Sequence, residues 1–249
     1  MSLAVILPTY NESGNIENLV NSIFALNLPL DVIVVDDESP DGTAQKVLNM
    51  REKNSRIHCV ICKDRHGRGI SGVAGFKYAL NLGAEYIIEM DADFSHDPIY
   101  IPDFLKAIKQ ADIVIGSRFV QGGEDCRQNV FRRMFSLWVN YFLKTFFFPN
   151  VLDCTSGYRC FKRQVLKHIG LDKLQSCGPA IIGEVLYLCR KFSIKEIPIR
   201  FLERRDGCSK LKFSVLIQCL FSLLRLSLTE KWHNFVDKIL RREHQDEVI

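Results

Sequence analysis

From Leu3 to Gly116 the chain alternates short apolar runs, at residues 3–7, 32–35, 57–62, 86–90 and 112–116, with longer segments of helical spacing at 15–25, 43–53, 71–82 and 101–110. Runs this short and uniformly apolar predict strands covered on both faces. Strands joined through helices run in the same direction, so the expected class is α/β, a mainly parallel sheet flanked by helices. Beyond Gly123 the grammar changes, with helices predicted over 130–147 and 183–191, a strand at 194–199 and an apolar stretch at 213–229. A chain of 249 residues with 47% apolar content buries one substantial core. No internal repeat or linker divides it, so a single domain is expected over 1–230, followed by a tail at 231–249.

A parallel sheet gathers the C-terminal ends of its strands on one edge, and ligands bind there. Four loops on that edge share a character. Pro8-Thr-Tyr-Asn-Glu12 follows the first strand and Val35-Asp36-Asp37-Glu-Ser-Pro-Asp-Gly-Thr43 the second, while Asp91-Ala-Asp93 follows the fourth and Gly116-Ser-Arg118 the fifth. Each alone is explained by turns and helix caps, Asp97 before Pro98 among them. Together they point to a ligand site, in which Tyr10 stacks on a base, Glu12 and Asp37 accept hydrogen bonds from base or ribose, and Asp91 and Asp93 hold a cation. Two hard oxygen ligands suit Mg²⁺ or Mn²⁺ held jointly with the phosphates of a nucleotide sugar.

Other classes fit less well. The net charge of +4 is small for a nucleic-acid binder, and its arginines cluster at 118–133 and 200–205, suited to gripping phosphate. The Gly67-x-Gly69-x-x-Gly72 spacing follows the third strand at a distance, not the first directly, which argues against dinucleotide binding; there the glycines admit a ligand or let a helix approach the sheet. Nine scattered cysteines read as reduced thiols, and Cys59-x-x-Cys62 lacks a second pair. The run at 3–7 is too short for a signal peptide, so a cytosolic chain is expected. The segments near 130–148 and 213–229 fall short of the ~20 residues of a membrane span, yet their aromatic and basic content suits helices resting on a cytoplasmic membrane surface. His96 is read as loop structure supporting the acidic pair, and His58 stays unassigned.

In combination, Pro8-Thr-Tyr-Asn-Glu12, Val35-Asp-Asp37, Ser39-Pro-Asp-Gly-Thr43, Asp91-Ala-Asp-Phe-Ser-His96, Gly116-Ser-Arg118, Asp153-Cys-Thr-Ser-Gly-Tyr-Arg159 and Gly207-Cys-Ser-Lys-Leu211 resemble the dolichol-phosphate (polyprenol-phosphate) mannosyltransferases, inverting family 2 glycosyltransferases of the GT-A nucleotide-diphospho-sugar transferase fold. The match runs in order over about residues 3 to 212. The resemblance implies that Pro8, Tyr10, Glu12, Val35 and Asp37 hold the guanosine of GDP-mannose. It implies that Asp91, Ala92, Asp93 and Ser95 serve metal and diphosphate, and that Arg118, Arg204 and Lys210 grip the donor's phosphates or sugar. Arg132 and Ser136 match positions that hold the phosphate of a polyprenyl-phosphate acceptor, and a small membrane subunit is a further expected partner.

The sequence departs from the pattern at Arg68, where an apolar residue is common, and at Cys177-Gly-Pro-Ala-Ile-Ile-Gly-Glu184, which keeps the glutamate without the aromatic and glutamine before it. Related enzymes that move glucose or aminoarabinose usually carry a C-terminal pair of spanning helices, and this chain resembles the short mannosyl type. The alternative is a family 2 transferase using a UDP-glucose type donor or a hydroxyl acceptor.

Overall fold

The computed structural model describes residues 2–63, 66–203, 218 and 220–228. The expected functional residues Arg204 and Lys210, the 207–211 motif, the first part of the 213–229 stretch and the tail at 231–249 lie outside the described residues.

The first half follows the alternation read from the sequence: β1 (Leu3–Thr9), α1 (Ile16–Phe24), β2 (Leu30–Asp36), α2 (Thr43–Lys53), β3 (Ile57–Ile61), α3 (Arg68–Asn81), β4 (Tyr86–Glu89), α4 (Ile101–Ala107) and β5 (Ile113–Ser117). Then come β6 (Glu124–Asp125), α5 (Val130–Phe146), β7 (Arg159–Lys162), α6 (Arg163–Ile169), α7 (Ile181–Leu188), β8 (Ile194–Pro198) and β9 (Arg200–Phe201). Among the described residues the main sheet has seven strands in the order β3-β2-β1-β4-β7-β5-β8. All are parallel except β7, which pairs antiparallel with both β4 and β5.

Burial explains the pattern. From Leu3 to Leu7 every β1 side chain is buried, because helices cover both faces of the sheet. On α1 the buried residues Ile16, Leu19, Val20 and Ile23 recur at helical spacing, and they pack into the core that holds Val5, Leu7, Val32 and Val34. The opposite face of the sheet carries Ile6, Ile33, Val35 and Phe161 against Phe76 and Ala79 of α3. Helix α3 can come that close because of Gly75, where an added Cβ would stand 2.4 Å from the Ile6 Cγ2 atom.

Helix α3 begins three residues earlier than the sequence suggested, at Arg68, so Gly67-Arg-Gly69 is its entry and not a free loop. Cβ atoms at Gly67 and Gly69 would lie 2.4 Å and 2.0 Å from the carbonyl oxygens of Cys177 and Ser176, and the Gly69 N–H donates to the Cys177 carbonyl at 2.7 Å. The glycines thus admit a neighbouring backbone and the sheet.

Strand β7 was not anticipated. After β5 ends on the ligand-side edge, the chain runs through β6 and α5 and re-enters the sheet from that edge, so its strand descends between β4 and β5. This brings the segment 153–158 alongside the carboxylates that follow β4.

Candidate active site

The strand order reverses between β1 and β4: from β1 the chain crosses outward to β2 and β3, whereas β4 leads to the other side. Such a switch point opens a crevice beyond the carboxyl ends of the strands. The loops after β1, β2, β4 and β5 flank it, as the sequence expectation requires.

The loops after β1 and β2 are tied together by two aspartates. Asp36, wholly buried, accepts from the Thr9 hydroxyl (3.1 Å) and from the backbone N–H and hydroxyl of Ser39 (2.8 and 2.6 Å). Asp41 accepts from the Ser13 N–H (2.9 Å) and from both the N–H and hydroxyl of Thr43 (3.0 and 2.6 Å). Burial would raise the Asp41 pKa, and these hydrogen bonds outweigh it to hold the carboxyl below its usual range. Neither role was assigned from sequence. Tyr10 stands exposed at the rim, Pro8 is half-buried, and the Glu12 carboxylate accepts from the Asn15 side chain at 2.9 Å. Asp37 accepts from the Gly67 N–H (2.7 Å) and contacts the His66 imidazole (3.2 Å), which fastens the entry of α3 to the edge of the sheet.

Beyond β4 the acidic segment turns sharply, with Phe94 at a φ of 61°. Asp91 is partly exposed, and its Oδ1 accepts from Arg68 at 3.1 Å. Asp93 is buried, and one carboxylate oxygen accepts from both the N–H (3.0 Å) and the hydroxyl (2.5 Å) of Ser95. The Asp91 N–H donates to His96 Nδ1 at 3.0 Å. His96 is fully buried, stacked on Tyr158 with ring centroids 5.0 Å apart, and burial lowers its pKa. The ring is therefore neutral with its proton on Nε2, and it supports the acidic loop as expected of a structural histidine. Asp97 caps the following turn by accepting from the Ile99 N–H at 2.9 Å, so the capping reading holds for that residue.

Several expected contacts take another form. The Val35 side chain is fully buried in one core beneath the crevice, and the Ala92 side chain is buried in the other. Ser95, also fully buried, supports Asp93 from beneath. Arg118 is committed to Asp153: its Nε and one terminal nitrogen donate at 2.8 and 2.7 Å, and its backbone N–H adds a third bond at 3.1 Å. Phe119 and Phe201 lie near its guanidinium at 5.0 and 5.2 Å from their ring centroids. The guanidinium is therefore held by Asp153 beside two aromatic rings. Burial would raise the Asp153 pKa, and the Arg118 charge and hydrogen bonds outweigh it, so the carboxyl stays below its ordinary range.

Helix α5 is anchored to this edge by Asn140, whose side chain donates to the Leu152 carbonyl and accepts from the Cys154 N–H at 2.7 Å. Ser136, one turn earlier, is buried, and Arg132, one turn earlier again, is exposed. The outer face is unusually apolar for a surface: Phe131 is 85% exposed, Tyr141 70%, Met134 63% and Trp138 54%. No helix among the described residues is long and apolar enough to cross a membrane.

The site fits a divalent ion on the chemistry of its donors. Asp91 and Asp93 supply hard oxygens, while among the described residues no group of three or more His, Cys, Asp or Glu is placed to hold a metal ion by itself. An ion held here would need further oxygens from a bound diphosphate.

Comparison with known proteins bears on this arrangement. Residues 4–170 match the model of glycosyl transferase family 2. The chain belongs to that family. This transferase is 32% identical to the undecaprenyl-phosphate mannosyltransferase of Micrococcus luteus, over 93% of its own length and 96% of that protein. It is 33% identical to the polyprenol monophosphomannose synthase of Mycolicibacterium smegmatis over 88% and 84% of the two chains, and 32% identical to the dolichol-phosphate mannosyltransferase of Pyrococcus furiosus over 97% and 67%. Among solved structures, glucosyl-3-phosphoglycerate synthase from Mycobacterium tuberculosis, in complex with Mn²⁺, UDP-glucose and phosphoglyceric acid, superposes with a TM-score of 0.68 at 19% identity, covering 90% of this chain and 79% of that one. A second structure of that synthase, with Mg²⁺ and UDP, gives 0.66 at 18%, covering 90% and 78%. At that identity the likeness speaks for the fold, which is the α/β GT-A architecture expected from the sequence.

Proposed function

We propose that this family 2 transferase moves mannose from GDP-mannose to a polyprenyl phosphate such as dolichyl phosphate, with inversion at the anomeric carbon, at the cytoplasmic surface of a membrane. The observation that carries the reading is the near full-length similarity to three mannosyltransferases whose names specify a prenyl-phosphate acceptor or product. The exposed apolar face of α5, with Arg132 at its start, supports a lipid acceptor.

In this reaction an oxygen of the lipid phosphate bonds to the anomeric carbon as the bond from that carbon to the diphosphate breaks. A phosphate monoester is ionised near neutral pH, so the nucleophile requires no strong base. The protein must instead bring two anions in line and neutralise the leaving group. Arg132, with Ser136 one turn on, is proposed to hold the acceptor phosphate. Tyr10, Glu12 and Asp37 line the nucleoside end. Asp91 and Asp93 would hold Mg²⁺ or Mn²⁺, which when bound offsets charge on the departing diphosphate. Arg204 and Lys210 are proposed to grip the donor's phosphates. A small membrane subunit is a further proposed partner.

The test is transfer of radiolabelled mannose from GDP-mannose into organic-extractable lipid by the purified protein with Mn²⁺. Arg132→Ala is expected to lower transfer at least about a hundredfold, in keeping with the loss of one charged contact to a reacting anion. Transfer to lipid that is unaffected by this change would refute the acceptor assignment. Transfer from UDP-glucose in preference to GDP-mannose would refute the donor.

A further inference from the structure

Arg68 stands at the first position of α3 and donates to two carboxylates at once, to Glu89 Oε1 and to Asp91 Oδ1, each at 3.1 Å. Asp91 belongs to the acidic pair and Glu89 does not. The surrounding fold makes room for both members of the Arg68–Glu89 pair. A Cβ at Gly72 would lie 2.9 Å from Glu89 Oε1, and a Cβ at Gly157 would lie 2.8 Å from a terminal nitrogen of Arg68. The backbone on either side of Arg68 is pinned as well, by the Gly67 N–H to Asp37 (2.7 Å) and the Gly69 N–H to the Cys177 carbonyl (2.7 Å). Glu89 is buried and Arg68 only partly exposed, so the guanidinium is a fixed cation rooted on its own glutamate, aimed at the site from below.

We infer that Arg68 is a positioning residue that competes with the divalent ion for Asp91, so that this transferase binds free metal weakly and takes up the ion together with the donor's diphosphate. A metal held by the Asp91 carboxylate would have to share it with a guanidinium of like charge, whose terminal nitrogen lies 3.1 Å from Oδ1. Both side chains are largely buried, so the repulsion is screened less than in bulk water. The negative charges of a diphosphate offset it, which couples metal and nucleotide binding. This inference rests on the proposed reading of Asp91 as a metal ligand.

The experiment is a titration of the full-length protein with Mn²⁺ alone, without nucleotide, followed by electron paramagnetic resonance of the free ion. Arg68→Gln removes the charge and leaves a shorter side chain that still carries an amide donor, and it is expected to tighten Mn²⁺ binding at least about tenfold. Should that variant not fold, as judged by circular dichroism, R68L/E89L removes the pair together and is expected to change affinity in the same direction. Equal or weaker Mn²⁺ affinity in the folded variant, including no binding in either protein, overturns the inference. Adding Asp91→Asn to the variant separates the two claims. Loss of the tight site supports both, whereas binding that survives Asp91→Asn refutes the metal-ligand reading and the inference with it.

Discussion

Removing Asp153 should unfold this transferase more readily than any change at its surface, and the size of the effect follows from what the carboxylate holds. Asp153 is wholly buried and accepts from the Arg118 backbone N–H, Nε and a terminal nitrogen at 3.1, 2.8 and 2.7 Å. Hydrogen bonds to charged groups contribute about 1.5–3 kcal/mol each, without adding simply. Breaking a buried pair by deleting one partner costs about 3–5 kcal/mol, because the other charge stays buried and unpaired. Asp153→Ala is therefore expected to cost about 4 kcal/mol, a large share of the roughly 5–15 kcal/mol of a typical domain. Urea unfolding followed by tryptophan fluorescence and circular dichroism measures it. The double variant R118M/D153L, which removes both charges, should recover at least about 2 kcal/mol of that loss.

The same carboxylate predicts a pH dependence. Its pKa in the folded protein is depressed by Arg118, so the stabilisation is complete above the unfolded value of about 3.9 and is lost as pH falls below it towards the folded value. Wild type should lose stability over that acid range, and R118M/D153L should lose less. A D153A protein within about 1 kcal/mol of wild type, or a double variant as unstable as the sum of the singles, would refute the assignment of Arg118 as a buried brace.

Gly75→Val should destabilise by about 1–3 kcal/mol through the contact with Ile6 that brings α3 onto the sheet, read as a shift in the urea midpoint; no shift would mean that the helix does not depend on that approach. Asn140→Ala should cost about 1–3 kcal/mol by leaving the Leu152 carbonyl and the Cys154 N–H without their partner, and hydrogen exchange should rise locally at Cys154. Phe131→Glu with Trp138→Glu should weaken sedimentation with phosphatidylcholine–phosphatidylglycerol vesicles at least about tenfold, since burying each ring contributes about 1.5–3 kcal/mol, and should leave the melting temperature unchanged. Undiminished vesicle binding would exclude that face of α5 as the membrane contact.

Local pattern was enough for the architecture of the first half, because strand and helix periods report burial directly and β1 to β5 with α1 to α4 follow them closely. The acidic edge was legible for the same reason: in a parallel sheet, a carboxylate just past the end of a strand must lie beside the others. What α5 exposes was also readable, since its basic and aromatic residues alternate within a few turns.

Partners distant in sequence were not legible. Arg118 and Asp153 are separated by 35 residues, and only the antiparallel entry of β7 brings them together as a buried pair. Val35 and Ala92 occupy loop-flanking positions in the sequence, but the pleat and the packed helices direct their side chains into the two cores. Arg68 meets Glu89 and Asp91 because Gly72 and Gly157, far apart along the chain, both leave room at one point. Periodicity in the sequence determined which residues are inside, since burial is a property each segment carries alone. The pairing of buried charges was decided only in the tertiary structure, because a charge leaves water only where another element supplies its counterpart.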